Sequence, residues 1–397
     1  MAIVSNPRRT LLELFDAALL AVDGRARVAD ALRTLEQRQV VVFAVGKAAG
    51  AMTRGAYDAL GERVQQALVI TKDGHVDPAL GALPRLEVIE SAHPVPDERS
   101  LRAGAELERR IVQLPREAYP VFLVSGGSSS LAELLREGCT LEQLRALNEQ
   151  GLASGWDIAR LNAERSRLSR LKGGGVARML DGRPAHALFI SDVPDDDPGV
   201  IGSGLLGPQA GASDRVQRRV VANVDAATRQ VSDAAAARGL RLEARTSRFA
   251  GDAVHVAREF VEALRLTPAD GLVWGGESTV ELPARPGRGG RNQHLALIIA
   301  RAFRADERFM VLAAGTDGSD GPTEDAGALV DAGTLERAEL AGVDVERALR
   351  DCDSGMALEA AEDLVHTGPT GTNVGDILIG IKQNARRVRD PAAARVL

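Results

Sequence analysis

Short apolar runs rich in β-branched residues recur along the chain up to about residue 250: "VVVFAV", "ALVIT", "LEVIES", "YPVFLV", "HALFIS", "RRVVAN" and "LRLEART". Between them lie segments whose apolar residues recur at helical spacing. A strand that returns parallel to its predecessor needs a crossover, usually a helix, so this alternation predicts an α/β fold with a mostly parallel sheet. The pattern restarts near Gly271 with "GLVWGGESTVELP", a Gly/Arg turn, the helical "NQHLALIIARAF", the strand "RFMVLAAG", short helical pieces and a last strand "DILIGIK". At 397 residues two domains are expected. The boundary is placed within Ala250–Asp270, giving a larger domain over 1–255 and a smaller α/β domain over 256–397. Leu141–Leu152, Trp156–Leu171 and Gly173–Leu180 read as a helical stretch forming a cap or a connection between layers.

Charge narrows the partners. A formal net charge of −6 leaves no electrostatic footprint for nucleic acid. No apolar run approaches the ~20 residues that span a bilayer, and "MAIVSNPRRTLLELF" lacks a signal-peptide core, so a cytoplasmic protein, monomeric or homodimeric, is expected. Cys139 and Cys352 lack metal-type spacing and read as packing residues in a reducing compartment. The basic residues are strongly skewed, with 45 arginines against four lysines. Three of those lysines sit beside glycine or within one residue of it, in "VGKAAG", "TKDGH" and "LKGGG". There a compact ammonium reaches a ligand that a planar guanidinium would crowd.

Several motifs carry chemistry. "VFAVGKAAGAMTRGAYDAL" reads as strand, tight turn and a helix opening at Gly46 or Lys47, an anion site in which Lys47 adds a full charge to the helix dipole. It is not a Walker A loop. "VFLVSGGSSSLAELL" repeats that logic: Gly126 and Gly127 allow close approach of phosphates, and Ser125, Ser128, Ser129 and Ser130 supply hydroxyls. A plain loop with a serine cap would look similar. "RSRLSRLKGGGVARML" sets Arg165, Ser169 and Lys172 at helical spacing, with Lys172 at a glycine break. In "ALFISDVPDDDPGVIGSGLLG", Asp192 ends a strand where α/β enzymes hold Mg²⁺ or a substrate hydroxyl. The literal GxGxxG from Gly202 to Gly207 follows no strand and opens no helix, so it does not mark a dinucleotide site. "WGGESTVELPARPGRGGRNQHLALIIA" offers Glu277, then Arg291 and Asn292 at a helix start, able to clamp a carboxylate or phosphoryl group. "AAGTDGSDGPTEDAGALVD" lacks the EF-hand pattern. A solvated turn accounts for Glu324 and Asp325, whereas Asp317 and Asp320 match Asp192 in following an apolar strand. "GPTGTNVGDILIGI" adds Thr370, Thr372, Asn373 and Asp376 at a strand entrance.

Taken in order, "VGKAAGAM", "SAHPVPDE", "VSGGSSSL", "LSRLKGG", "ISDVPDDDP", "GGES", "GRNQ", "AAGTDGSDGPTEDAGA" and "PTGTNVGDI" resemble the glycerate 2-kinase family that carries a MOFRL C-terminal domain, formerly labelled hydroxypyruvate reductases. The resemblance implies a Rossmann-like larger domain, a smaller MOFRL domain, and ATP- and Mg²⁺-dependent phosphorylation of glycerate at its 2-hydroxyl. On a kinase reading we assign Lys47, Asp192 and Arg291 as catalytic, and Ser125–Ser130, Lys172 and Glu277 to the surroundings of the nucleotide phosphates. Asp192, Asp317 and Asp320 would assist the metal, and Asn292, Thr372, Asn373 and Asp376 would line the substrate cleft. The chain departs from the family pattern at Gly175, Asp195, Leu205, Leu206 and Gly375. A reductase acting with NAD(P)H, a kinase for another small hydroxy acid and a binding-only relative are the alternatives.

Overall fold

The computed structural model describes residues 6–153, 158–209 and 214–383. The described residues pack into two compact units, one formed by Leu19–Ala227 with Pro369–Gly375, the other by residues 6–18, Thr228–Gly368 and residues 376–383. Packing therefore groups the chain from Thr228 onward, ahead of the Ala250–Asp270 boundary read from sequence. The cause is strand pairing: the short strands after Thr228 join the strand at Gly271.

The first unit holds six strands: β1 (Val40–Val45), β2 (Val64–Lys72), β3 (Leu86–Ser91), β4 (Tyr119–Val124), β5 (Ala185–Ile190) and β6 (Val216–Ala222). All pairings are parallel, in the order β3-β2-β1-β4-β5-β6. Every residue of β1 is buried, as expected of a central strand covered on both faces, whereas in edge strand β3 only Ser91 is buried. Phe43 and Phe122 are register partners on β1 and β4 and stack with centroids 5.1 Å apart. Leu68, Phe189, Leu205 and Leu206 belong to the same core. The order reverses between β1 and β4, and such a reversal opens a crevice at the carboxyl ends of the two strands.

The second unit has β7 (Leu242–Ala244), β8 (Phe249–Asp252), β9 (Gly271–Thr279), β10 (Phe309–Gly315), β11 (Gly327–Asp331), β12 (Leu364–Val365) and β13 (Asp376–Lys382). Here the sheet is mixed, in the order β12-β11-β10-β13-β9-β7 with β8 also on β9. The central pairs are antiparallel, and β7 and β8 run parallel to β9. Helices Ala253–Leu266 and Arg291–Ala302 contribute Val256, Phe260, Leu295 and Ile299 to its core, with Trp274 and Val311 from the sheet.

The strands read from the sequence are present, although "LRLEART" keeps only three residues as strand. Strands β8, β11 and β12 were not anticipated. The helical stretch is broken: helices span Leu141–Ala153 and Ile158–Leu168, then Ser169–Gly174 turns before a short helix at Gly175–Met179. Trp156, the expected start of the middle segment, lies outside the described residues.

Candidate active site

In the first unit the loops after β1, β4 and β5 meet at the reversal of strand order. Gly46 follows β1 with φ 136°, a conformation that a residue with a side chain rarely adopts. A Cβ there would also collide with Ser125. The turn is knitted to its neighbour: Lys47 N–H donates to the Gly126 carbonyl at 3.0 Å, and Ala48 N–H donates to Ser125 Oγ at 3.0 Å. The helix opens at Ala49 rather than at Gly46 or Lys47, which leaves Lys47 in the turn ahead of it.

The β4 loop is divided in its use of serines. Ser125 and Ser128 are fully buried, Ser125 bracing the β1 turn and Ser128 packing against Gly202. These two hydroxyls face the protein, contrary to the expectation that the whole loop cradles phosphates. Gly127, Ser129 and Ser130 border a cavity instead. Gly126 lies so close to Asp192 and Asn373 that a Cβ would fall inside both side chains. Asn373 Nδ2 donates to Asp192 Oδ2 at 3.4 Å. Thr372, buried, donates to the Val22 carbonyl at 2.7 Å and fixes that segment. Lys47, Gly126, Gly127, Asp192 and Asn373 are thus brought together.

The cavity beside them has a volume of about 200 Å³. His93, Ser129, Ser130, Asn148, Arg165 and Lys172 line it. A Cβ on Gly127 would touch both the His93 ring and the Lys47 stem, so the cavity adjoins the Lys47 turn. Lys172 is 2% exposed and pairs with Glu133, which is fully buried and also accepts from Ser169 Oγ and from the Leu134 N–H. Burial pushes the Lys172 ammonium below its ordinary pKa, and Glu133 opposes that shift. Arg165 Nε donates to Asn148 Oδ1 at 2.8 Å and its Nη1 to Asn162 Oδ1 at 3.4 Å. Ser129 and Ser203 share a hydrogen bond of 2.6 Å, and Ser203 donates to Asn162. Sequence reasoning passed over His93, Asn148 and Glu133 as site residues. His93 lies within "SAHPVPDE", a motif already singled out, but the other two carried no local signal.

The second unit has its own polar cluster. Arg291 donates Nε and Nη2 to Asp376 at 2.6 and 2.9 Å, and its Nη1 pairs with Glu277 at 2.9 Å. The fork expected to clamp a ligand is occupied by these two carboxylates. Asp320, 2% exposed, accepts from the N–H groups of Asn292 and Gln293 at 3.0 and 2.8 Å, capping the Arg291–Ala302 helix. Burial raises its pKa to about 7. Asp317 Oδ1 accepts from the Ser319 N–H at 3.0 Å. Asp192 belongs to the first unit and Asp317 and Asp320 to the second. Among the described residues no group of three or more His, Cys, Asp or Glu is arranged to hold a metal ion. The residues fit Mg²⁺ as that ion is commonly used, carried on substrate phosphates with one or two carboxylates and its own waters, and do not fit an all-protein cage.

A six-stranded parallel sheet with a glycine-bounded lysine at the reversal of strand order, and a carboxylate after β5, marks an α/β fold with a crevice at the carboxyl ends of its strands. The domain of unknown function DUF4147 matches residues 10–237 and the MOFRL family matches residues 271–376. D-glycerate 2-kinase of Thermotoga maritima is 32% identical, over 94% of this chain and 98% of that one. The crystal structure of glycerate kinase from the same organism superposes with a TM-score of 0.81, covering 94% of this chain and 99% of that one. A protein of Agrobacterium vitis that bears a provisional hydroxypyruvate reductase name is 35% identical over 94% of both chains. The chain belongs to the glycerate 2-kinase family with a MOFRL domain. Among the described residues no helix is long and apolar enough to cross a membrane.

Proposed function

We propose that this protein transfers the terminal phosphoryl group of ATP to the 2-hydroxyl of glycerate, giving 2-phosphoglycerate and ADP. The observation that carries the reading is the meeting of Lys47, Gly126, Gly127 and Asp192 at the carboxyl ends of β1, β4 and β5, in a chain of this family. Phosphoryl transfer asks a protein for positioning and charge compensation more than for covalent chemistry. Lys47, a point charge on a flexible stem, follows charge as it moves onto the transferred group. The Gly126–Gly127 backbone lets phosphate oxygens approach closely. Asp192, oriented by Asn373, accepts the proton of the attacking hydroxyl or holds Mg²⁺. The ion, when bound, neutralises the phosphate oxygens of the nucleotide.

Reduction of hydroxypyruvate would need a dinucleotide loop. The one formal glycine match, Gly202–Gly207, starts in a short 3-10 turn, with Gly202 and Ser203 at positive φ, and does not open a helix after a strand. Incubation with Mg-ATP and D-glycerate tests the proposal: 2-phosphoglycerate is expected. NADH oxidation by hydroxypyruvate without any phosphoryl transfer would overturn it.

A further inference from the structure

The 200 Å³ cavity next to Gly127 has more positive charge than its surroundings compensate. Two cations, Arg165 and Lys172, line it, and among the described residues its lining contains no Asp or Glu. The one buried carboxylate behind it, Glu133, is taken by Lys172 and Ser169. The Arg165 guanidinium, half-buried, hydrogen-bonds to the amide oxygens of Asn148 and Asn162, and the carboxylate whose charge acts on it, Glu133, is bonded to Lys172 and Ser169 instead. One buried carboxylate, Glu133, thus serves two cations, and the neutral amides orient the guanidinium without cancelling its charge. The cavity therefore favours one small anion. The hydroxyls of Ser129 and Ser130 add donors and acceptors on the same wall.

Size selects the anion. The space, about 200 Å³, matches a small organic acid better than a whole nucleotide. We propose that this cavity is the acid pocket of the enzyme, in which Arg165, held by Asn148 and Asn162, binds the carboxylate of the acceptor and so confers specificity for hydroxy acids over neutral polyols. The assignment rests on the kinase reading for the identity of the acceptor, and it moves carboxylate recognition from Arg291, whose fork is filled by Asp376 and Glu277, to Arg165. Lys172 sets the charge of the back wall, and the hydroxyl end of the acid faces the Gly127 side, toward Lys47.

The test compares the full-length protein with Arg165→Met and Arg165→Lys, each first checked by its melting curve. Initial rates are measured with D-glycerate and with glycerol, in which the carboxylate is replaced by a hydroxymethyl group. Arg165→Met is expected to raise the KM for glycerate by ~10²-fold, to leave the KM for ATP unchanged and to collapse the preference for glycerate over glycerol. Arg165→Lys, which keeps the charge but loses the fork, is expected to lose ~10-fold and stands in if the methionine variant does not fold. An unchanged glycerate KM, or a rise in the ATP KM instead, would overturn the pocket while leaving the kinase reading intact. Calorimetric titration with glycerate and lactate separates the two ideas. Binding that Arg165→Met abolishes supports the pocket even if the wild type proves inactive as a kinase, and absence of binding to the wild type overturns it.

Discussion

Gly126 shows how little room the site leaves to chance. Its missing side chain is what lets Asp192 and Asn373 come up to the β4 loop, and Gly46 does the same for Ser125 across the neighbouring turn. Gly126→Ala should therefore displace Asp192 without disturbing the core, and kcat/KM for glycerate is expected to fall by ~10²-fold or more while the melting temperature moves little. Retained activity would show that Asp192 is not positioned by this contact. Lys47→Arg tests the rarity of lysine in this chain. A broad planar fork cannot replace a point charge on a stem that starts against the Gly126–Gly127 backbone, so a loss of ~10²-fold in kcat/KM is expected, about 3 kcal/mol of transition-state stabilisation. Lys382, whose Nζ donates to the Thr267 carbonyl at 2.5 Å, should accept arginine nearly silently. Equal effects of the two substitutions would remove the argument. The departures from the family pattern also have local explanations. Gly375 has φ 93°, the left-handed region that glycine and asparagine share, and Leu205 and Leu206 are buried in the core. Nothing in the structure explains Asp195.

At the scale of elements, the loops after β1, β4 and β5 were legible because each couples a buried strand to glycines and a functional polar residue. Their convergence was not legible, since sequence spacing does not reveal that β1 and β4 are neighbours with the order reversing between them. Strand β11 was missed because "GALVD" is short and begins with glycine. Sequence alone does not reveal that Asp320 caps the Arg291–Ala302 helix, because a buried helix cap and a metal-side carboxylate look alike as an aspartate among glycines. The pairing of Glu133 with Lys172 was invisible for another reason: the two residues come from different loops, and Glu133 reads as an ordinary helix-surface residue. That pair predicts its own stability effect. Glu133→Gln leaves a buried ammonium unpaired and is expected to destabilise by about 3 kcal/mol, seen as a drop of ~6–12 °C in thermal unfolding. Replacing both members with apolar residues should recover much of that loss, and an unchanged melting point for the single variant would contradict the pairing.

At the scale of the whole molecule, the alternation of strands and helices announced the α/β class, and the restart near Gly271 announced a second body with its own core. What could not be read was how the chain is shared between units, because residues 6–18, residues 376–383 and the Pro369–Gly375 segment join partners distant along the chain. That segment supplies Asn373 to Asp192, so the first unit's site is completed by residues from near the C-terminus. The central claim, transfer of phosphate to the 2-hydroxyl of glycerate, is tested most directly by phosphorus NMR of the product formed from Mg-ATP and D-glycerate. The account predicts a resonance that coincides with added 2-phosphoglycerate and grows in step with ADP. A product coinciding with 3-phosphoglycerate, or ATP left unconsumed while NADH and hydroxypyruvate disappear, would contradict it.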